Sequence, residues 1–253
     1  MNAAVRFAEI DRLKSRLDSL RPLPEHTVRT LHEQQVLEWT YHSNAIEGNT
    51  LTLKETKVVL EGITIGGKPL REHFEVINHK EAIDYVEAIV QNQEALSEWQ
   101  IKSIHHLMLK NIDDRNAGQY RQENVVIAGA EHLPPDYLKV PEVMAELMDW
   151  YSGSSELHPV ECAARLHVDF VGIHPFVDGN GRTSRLLMNF ELMRRGFLPV
   201  IIPVEQRLAY YDALDTAHTL GNYSLFIELV ASLEQATLER YLRIVQGSSD
   251  TSR

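Results

Sequence analysis

Read for period, the chain is a succession of helices. Between Thr27 and Glu47 the positions Leu31, Val36, Leu37, Trp39, Thr40, Tyr41 and Ile46 recur without Pro or Gly until Gly48, which predicts a helix with a glycine stop. Thr52 and Glu55 have capping-box spacing ahead of a short helix, Leu53 to Leu60, closed by Gly62. After the Gly66-Gly67-Lys68-Pro69 loop, the apolar positions Phe74, Ile77, Ala82, Tyr85, Val86, Ile89 and Val90 predict a long amphipathic helix from Arg71 to Asn92. Ser97 with Gln100 caps another. Pro141 and Pro159 stand at first-turn positions ahead of Val143 to Tyr151 and Val160 to Gly172. Periodic runs from Arg182 to Arg195, Glu205 to Leu220 and Ser224 to Val245 end at Gly196, Gly221 and Gly247. One extended run, Asn124 to Ala128, lies between Gly118 and Pro134-Pro135 and predicts a short hairpin flap. The fold class expected is all-α with a small β-hairpin flap.

No repeat or linker divides the chain. The segments expected are an N-terminal helix (Ala4 to Leu20) and turn over residues 1–25, with Pro22-Leu-Pro24 a hinge that leaves this helix free as a partner surface. A helical region follows over 26–95, then a core over 96–246 and a polar tail over 247–253. Composition narrows the class. Of 253 residues, 43% are apolar, as in an ordinary globular protein, and 25 Lys+Arg against 36 Asp+Glu leave a formal charge of −11, which disfavours nucleic acid as a partner. Cys162 is the only cysteine, so no intramolecular disulfide forms, and a reducing, cytoplasmic setting is expected. Charged residues scattered through Met1 to Asp18 argue against a leader or a membrane span.

The chemistry concentrates in His174-Pro-Phe-Val-Asp178-Gly-Asn180-Gly-Arg182-Thr-Ser-Arg185. Gly179 and Gly181 can adopt positive φ and bring backbone N–H groups together where a helix begins, which makes an anion site. Arg182 and Arg185 share one face of that helix's first turn. Cations there oppose the helix dipole, so an anion is expected to offset them. Asp178 is a hard oxygen ligand suited to Mg²⁺ between phosphates, Asn180 can donate to a phosphate oxygen, and His174 can take a hydroxyl proton. The turn is too short for a P-loop and no lysine follows its second glycine. Glu47, last before Gly48, puts a carboxylate at the negative end of a helix and needs a nearby cation. Cys162 reads as core and His42 as helix surface. His105, His106, His158 and His167 lack any zinc spacing.

His174 to Arg185 resembles the Fic signature His-x-Phe-x-(Asp/Glu)-Gly-Asn-Gly-Arg-x-x-Arg at every defined position. Gly118-Gln-Tyr-Arg121 with the run after it is similar to the Fic target-docking flap (residues 118–138), and Ser43-Asn-Ala-Ile-Glu47-Gly48 is similar to the family's inhibitory motif. The resemblance covers roughly residues 26 to 245 and is closest to the autoinhibited class, such as the metazoan endoplasmic-reticulum AMPylases, whose inhibitory helix precedes the core. It implies a protein adenylyltransferase that moves AMP from ATP to a Ser, Thr or Tyr hydroxyl of a target docked on the flap, and that also modifies itself. In that reading His174 is the base and Asp178 holds Mg²⁺. Gly179, Asn180, Gly181 and Arg182 bind the α- and β-phosphates, Arg185 holds the γ-phosphate, and Tyr210, Tyr211, Gly129 and His132 face the nucleotide. His218 falls where metazoan relatives have Asn. Glu47, with Ser43 and Gly48, would pair with Arg185 and block the γ-phosphate. The alternatives are removal of AMP from a modified protein, with Glu47 orienting water, and a nucleotide-bound regulatory or toxin-control module. The resemblance also implies homodimers as one assembly state.

Overall fold

The computed structural model describes residues 3–250, and those residues fold into ten α-helices joined by loops and short 3₁₀ turns. They are α1 (Ala3–Ser19), α2 (Glu25–Ile46), α3 (Leu53–Leu60), α4 (Leu70–Gln91) and α5 (Glu98–Leu109), then α6 (Val140–Ser152), α7 (Pro159–Ile173), α8 (Asn180–Arg194), α9 (Arg207–Leu220) and α10 (Ser224–Asp250). Local signals set several of these ends. The Thr52 hydroxyl accepts from the Glu55 N–H while Glu55 accepts from the Thr52 N–H, closing the capping box of α3. Ser97 accepts from the Trp99 N–H to start α5.

The helix α8 lies at the centre, although its sequence is among the more polar. Twelve of its fifteen residues are buried, Arg182, Thr183, Ser184, Arg185 and Glu191 among them, because it is enclosed by α2, α4, α5 and α7. Burial of so many polar groups requires partners at each end, and those partners build the site described below. One apolar cluster joins α7 and α8 to α1, α9 and α10; a second joins the same two helices to α2, α4, α5 and α6. Cys162 sits in the second with 1% of its surface exposed, as a core residue should.

Three expectations need correction. The run Asn124 to Ala128 forms no strand, and no strand occurs among the described residues. Its return limb carries Pro134 and Pro135, which have no N–H to offer a ladder. The loop is closed instead by side chains: the Asn124 amide donates to Asp136 (3.0 Å) and accepts from the Tyr137 N–H (2.8 Å). The tail does not begin at Gly247, since α10 continues to Asp250; Val245 is buried and Arg16 donates to Gln246, so packing on α1 outweighs one unfavourable glycine. Residues 251–253 lie outside the described residues. Finally, α1 does not stand away on its prolines: Ile10, Leu13 and Leu17 are buried against α10.

Burial leaves seven histidines (His42, His79, His105, His158, His167, His174 and His218) harder to protonate than usual, His105 being pushed down to about 4. Below the ordinary histidine value the unfolded chain binds more protons than the folded one, so stability falls as pH falls. Glu234, buried and raised to about 8, acts in the opposite sense between the ordinary carboxyl range and that value. The lowered histidines outnumber the groups that act the other way, Glu234 and the His32 imidazole that Glu87 raises, so stability should fall as pH falls through the histidine range. Thermal midpoints at pH 7, 6 and 5 check this; a flat profile contradicts it.

Candidate active site

The helix α7 ends on His174, which adopts a left-handed conformation (φ 51°, ψ 57°) uncommon for a residue with a side chain. Pro175 then prevents continuation. Four bonds from Arg121 hold this turn and the flap together. Its N–H donates to Pro175 O (2.9 Å), its Nε to His174 O (2.9 Å), and its Nη1 to Glu123 O (2.9 Å), while Nη2 reaches Pro135 O at the far limb of the flap. The imidazole Nδ1 of His174 lies 3.3 Å from Val171 O. A carbonyl only accepts, so Nδ1 carries the proton and Nε2 is the free base. Burial, assisted by the nearby Arg121 charge, keeps the ring neutral further into the acid range than usual.

From Phe176 to Gly181 the chain turns into α8. Asn180 closes the turn by accepting from the Phe176 N–H (3.0 Å) and donating to Phe176 O (2.8 Å). Its amide oxygen and one of its two amide N–H groups are therefore engaged within the scaffold. Gly179, with φ 78°, supplies the left-handed residue that starts the helix. Asp178 accepts from the Gly179 N–H (2.6 Å) and Arg182 Nη2 (3.3 Å) through Oδ1, and from Arg71 Nη2 (2.6 Å) through Oδ2. Despite the cost of burial, these cations and the N–H hold its carboxyl below the usual range. Arg182 is 2% exposed, and its Nε and Nη1 have no hydrogen-bond partner, with Glu75 3.6 Å from Nη1. A buried guanidinium at a helix N-terminus with two nitrogens free of hydrogen bonds can still take an anion's oxygens.

That end of α8 faces the C-terminal end of α2. Glu47, the cap of α2, extends its carboxylate to Arg185 Nη2 (2.8 Å). The same guanidinium donates to Ser43 Oγ (3.0 Å), Ser43 O (2.8 Å) and Tyr210 OH (3.3 Å), so a fully buried cation is satisfied by α2 and α9 together. A side chain on Gly181 would bring its Cβ within 2.3 Å of Glu47 Oε1, which shows how closely the carboxylate covers the glycine turn. Gly48, at φ 96°, lets the chain leave in the left-handed region just after it.

Glu47, His174 and Gly181 open onto a cleft of about 390 Å³ between the flap and α9, which Gly129, Tyr211, Tyr210 and His218 also line. Tyr210 is 1% exposed and its hydroxyl is bonded to Arg185 and His167, so it supports the cation more than it offers a face to a base. His132 is not on this cleft: its Nε2 is bonded to Gly172 O (2.9 Å), its ring lies against His218, and it lines the adjoining groove. Asp178 does not line this cleft. His42, read as a surface residue, is half-buried and accepts from the Val204 N–H. Sequence reading passed over Arg71, whose partner Asp178 lies 107 positions away, gave His105 and His167 no role, and named Arg121 only within the flap motif. Among the described residues no cluster of three or more His, Cys, Asp or Glu could enclose a metal, and no helix is long and apolar enough to cross a membrane. A lone carboxylate beside an anion turn nonetheless suits Mg²⁺, which commonly takes one carboxylate and completes its shell with phosphate oxygens and water.

Comparison with known proteins places this geometry. Residues 95–192 match the Fic/DOC family. The chain is 39% identical over 228 residues to protein adenylyltransferase fic-1 of Caenorhabditis elegans and 37% over 238 residues to protein adenylyltransferase Fic of Drosophila melanogaster, covering 88% and 92% of itself. It spans 44% and 48% of those two proteins, about half of their length. Among solved structures, a Fic domain containing signaling protein from Bacteroides thetaiotaomicron superposes with a TM-score of 0.87 at 31% identity, over 94% of this chain and 98% of that one. C. elegans Fic-1 superposes with a TM-score of 0.85 at 34% identity, over 99% of this chain and 74% of that one. With the signature, the fold and the relatives in agreement, the chain belongs to the Fic/DOC family.

Proposed function

We propose that this chain is a protein adenylyltransferase held in check by its own Glu47. The observation that carries the reading is the buried anion turn, where Arg182 Nε has no hydrogen-bond partner and Nη1 has only Glu75 at 3.6 Å, while Arg185 is occupied by a carboxylate of the same chain. Phosphates of ATP would lie on the Gly179 to Arg182 turn and against Arg185. Mg²⁺, held by Asp178 and the phosphates, would neutralise their charge. The target hydroxyl loses its proton to His174 Nε2 as its oxygen bonds to the α-phosphorus. The bond from that phosphorus to the bridging oxygen breaks, and pyrophosphate leaves. Positioning and charge complementarity supply most of the acceleration.

The flap suits a protein target. Val126, Leu133 and Leu138 are each more than 70% exposed, and its backbone forms no ladder of its own. The lone buried cysteine suits a cytoplasmic enzyme. A second reading rests on Glu47 lining the same cleft as His174: the carboxylate could orient water for hydrolysis of AMP from a modified protein, the two activities sharing one site. Intact-protein mass after incubation with Mg²⁺ and ATP tests the transfer reading, with Glu47→Gly as the unlocked form.

Arg185 carries structure as well as chemistry. In Arg185→Ala, loss of four bonds from a buried cation should lower stability by about 3 kcal/mol, or roughly 6–10 °C in thermal midpoint. In the Glu47→Gly background the same change should weaken ATP about tenfold more than ADP, read by calorimetry. Equal losses for both nucleotides would remove Arg185 from the γ-phosphate.

A further inference from the structure

His105 lies in the middle of α5 with none of its surface exposed, and it bonds at both edges of its ring. Nδ1 is 2.9 Å from the Gly118 N–H and Nε2 is 2.8 Å from Asp178 O. A backbone N–H only donates and a carbonyl only accepts, so the ring is the Nε2–H tautomer with Nδ1 unprotonated. Its plane is set by Phe176, stacked at 3.6 Å between centroids and 2° between planes.

Each bond fixes something the reaction uses. The carbonyl it meets belongs to the Asp178–Gly179 peptide, whose N–H is donated to Asp178 Oδ1 at 2.6 Å. Holding one end of a planar peptide orients the other, so the ring controls the aim of the Asp178 carboxylate. The N–H it receives belongs to Gly118, at the root of the flap. A Cβ there would lie 2.9 Å from Lys102 O, so the root is pressed on α5, three residues before Arg121 ties the flap to His174.

We infer that His105 is a positioning residue of the transfer site, its imidazole joining the root of the target-docking flap to the turn that presents Asp178. The inference rests on the adenylyltransferase reading for its consequence, and on two hydrogen bonds for its geometry. Neither edge alone would do this. An imidazole offers a donor and an acceptor on opposite sides of one rigid ring, which no amide side chain reproduces.

That asymmetry gives the test, made in the Glu47→Gly background. His105→Gln carries an amide N–H to about the place of Nε2 and keeps the bond to Asp178, losing Gly118. His105→Asn puts an amide oxygen at about the place of Nδ1 and keeps Gly118, losing Asp178. His105→Asn is expected to raise the Mg²⁺ concentration for half-maximal ATP binding and for self-modification about tenfold, as for one lost hydrogen bond, with flap exchange unchanged. His105→Gln is expected to leave the Mg²⁺ requirement within about twofold while amide hydrogen exchange across residues 119–136 quickens about tenfold. The ¹⁵N shifts of His105 in the Glu47→Gly parent should report the Nε2–H tautomer. If both variants change both readouts equally, or neither changes any, or the ring is the Nδ1–H tautomer, the inference is overturned. Should His105→Asn or His105→Gln fail to fold, His105→Phe keeps the stack and should show both defects at once; in a folded His105→Phe, unchanged Mg²⁺ dependence and exchange overturn the inference. If the Glu47→Gly parent transfers no AMP, that failure falls on the functional reading, and the tautomer with the exchange pattern and Mg²⁺-dependent ATP binding decides the role of His105 separately.

Discussion

Glu47→Gly should modify itself with AMP about 10²-fold faster than the native chain, seen as the gain of one adenylyl group in intact-protein mass. The reason is competition for one cation. Glu47 Oε1 sits 2.8 Å from Arg185 Nη2 and covers Gly181, so a γ-phosphate can reach that guanidinium only after the carboxylate leaves. A partly buried ion pair of this kind is worth about 2–3 kcal/mol, which corresponds to about 10²-fold in occupancy of the competing ligand. Arg185 keeps Ser43 and Tyr210 after the substitution, so the cation stays aimed and the fold persists. Removal of AMP from a modified protein should fall in the same variant. If ATP binds and transfer stays flat, Glu47 is no lock.

The second large effect is a loss. His174→Ala in the Glu47→Gly background should lower transfer by about 10³-fold while ATP affinity stays within about threefold, because the free Nε2 serves the proton and not the phosphates. The ring's pH dependence follows from the same geometry. The active form is neutral, and burial lowers the value at which it protonates, so activity should hold as pH falls through the usual histidine range and decline only below it. A decline already beginning above pH 7 would assign that limb to another group. Unchanged transfer in His174→Ala would remove the base from the mechanism.

These two residues illustrate different routes to legibility. His174 stands four positions before Asp178 and within twelve of Arg185, so one α7–turn–α8 segment carries base, anion turn and cations together, and local spacing nearly determines their geometry. Glu47 is 138 positions from Arg185. Physical chemistry required only that its carboxylate find a cation; the resemblance to a known motif supplied which one.

The sequence by itself determined the helices, because apolar period, capping residues and prolines act within a few residues of where they stand. It also determined the anion turn, because glycines followed directly by a helix start leave the backbone little choice. Tertiary structure alone decided what each polar side chain spends its bonds on. It turned the Asn180 amide inward, set Arg71 on Asp178 across 107 positions and His105 on the same residue across 73, and set the Tyr210 hydroxyl between Arg185 and His167. It also left the flap without a ladder and carried α10 past Gly247. Such outcomes depend on which helix faces meet, and a pattern of period 3.6 fixes the face of each helix without naming its neighbour.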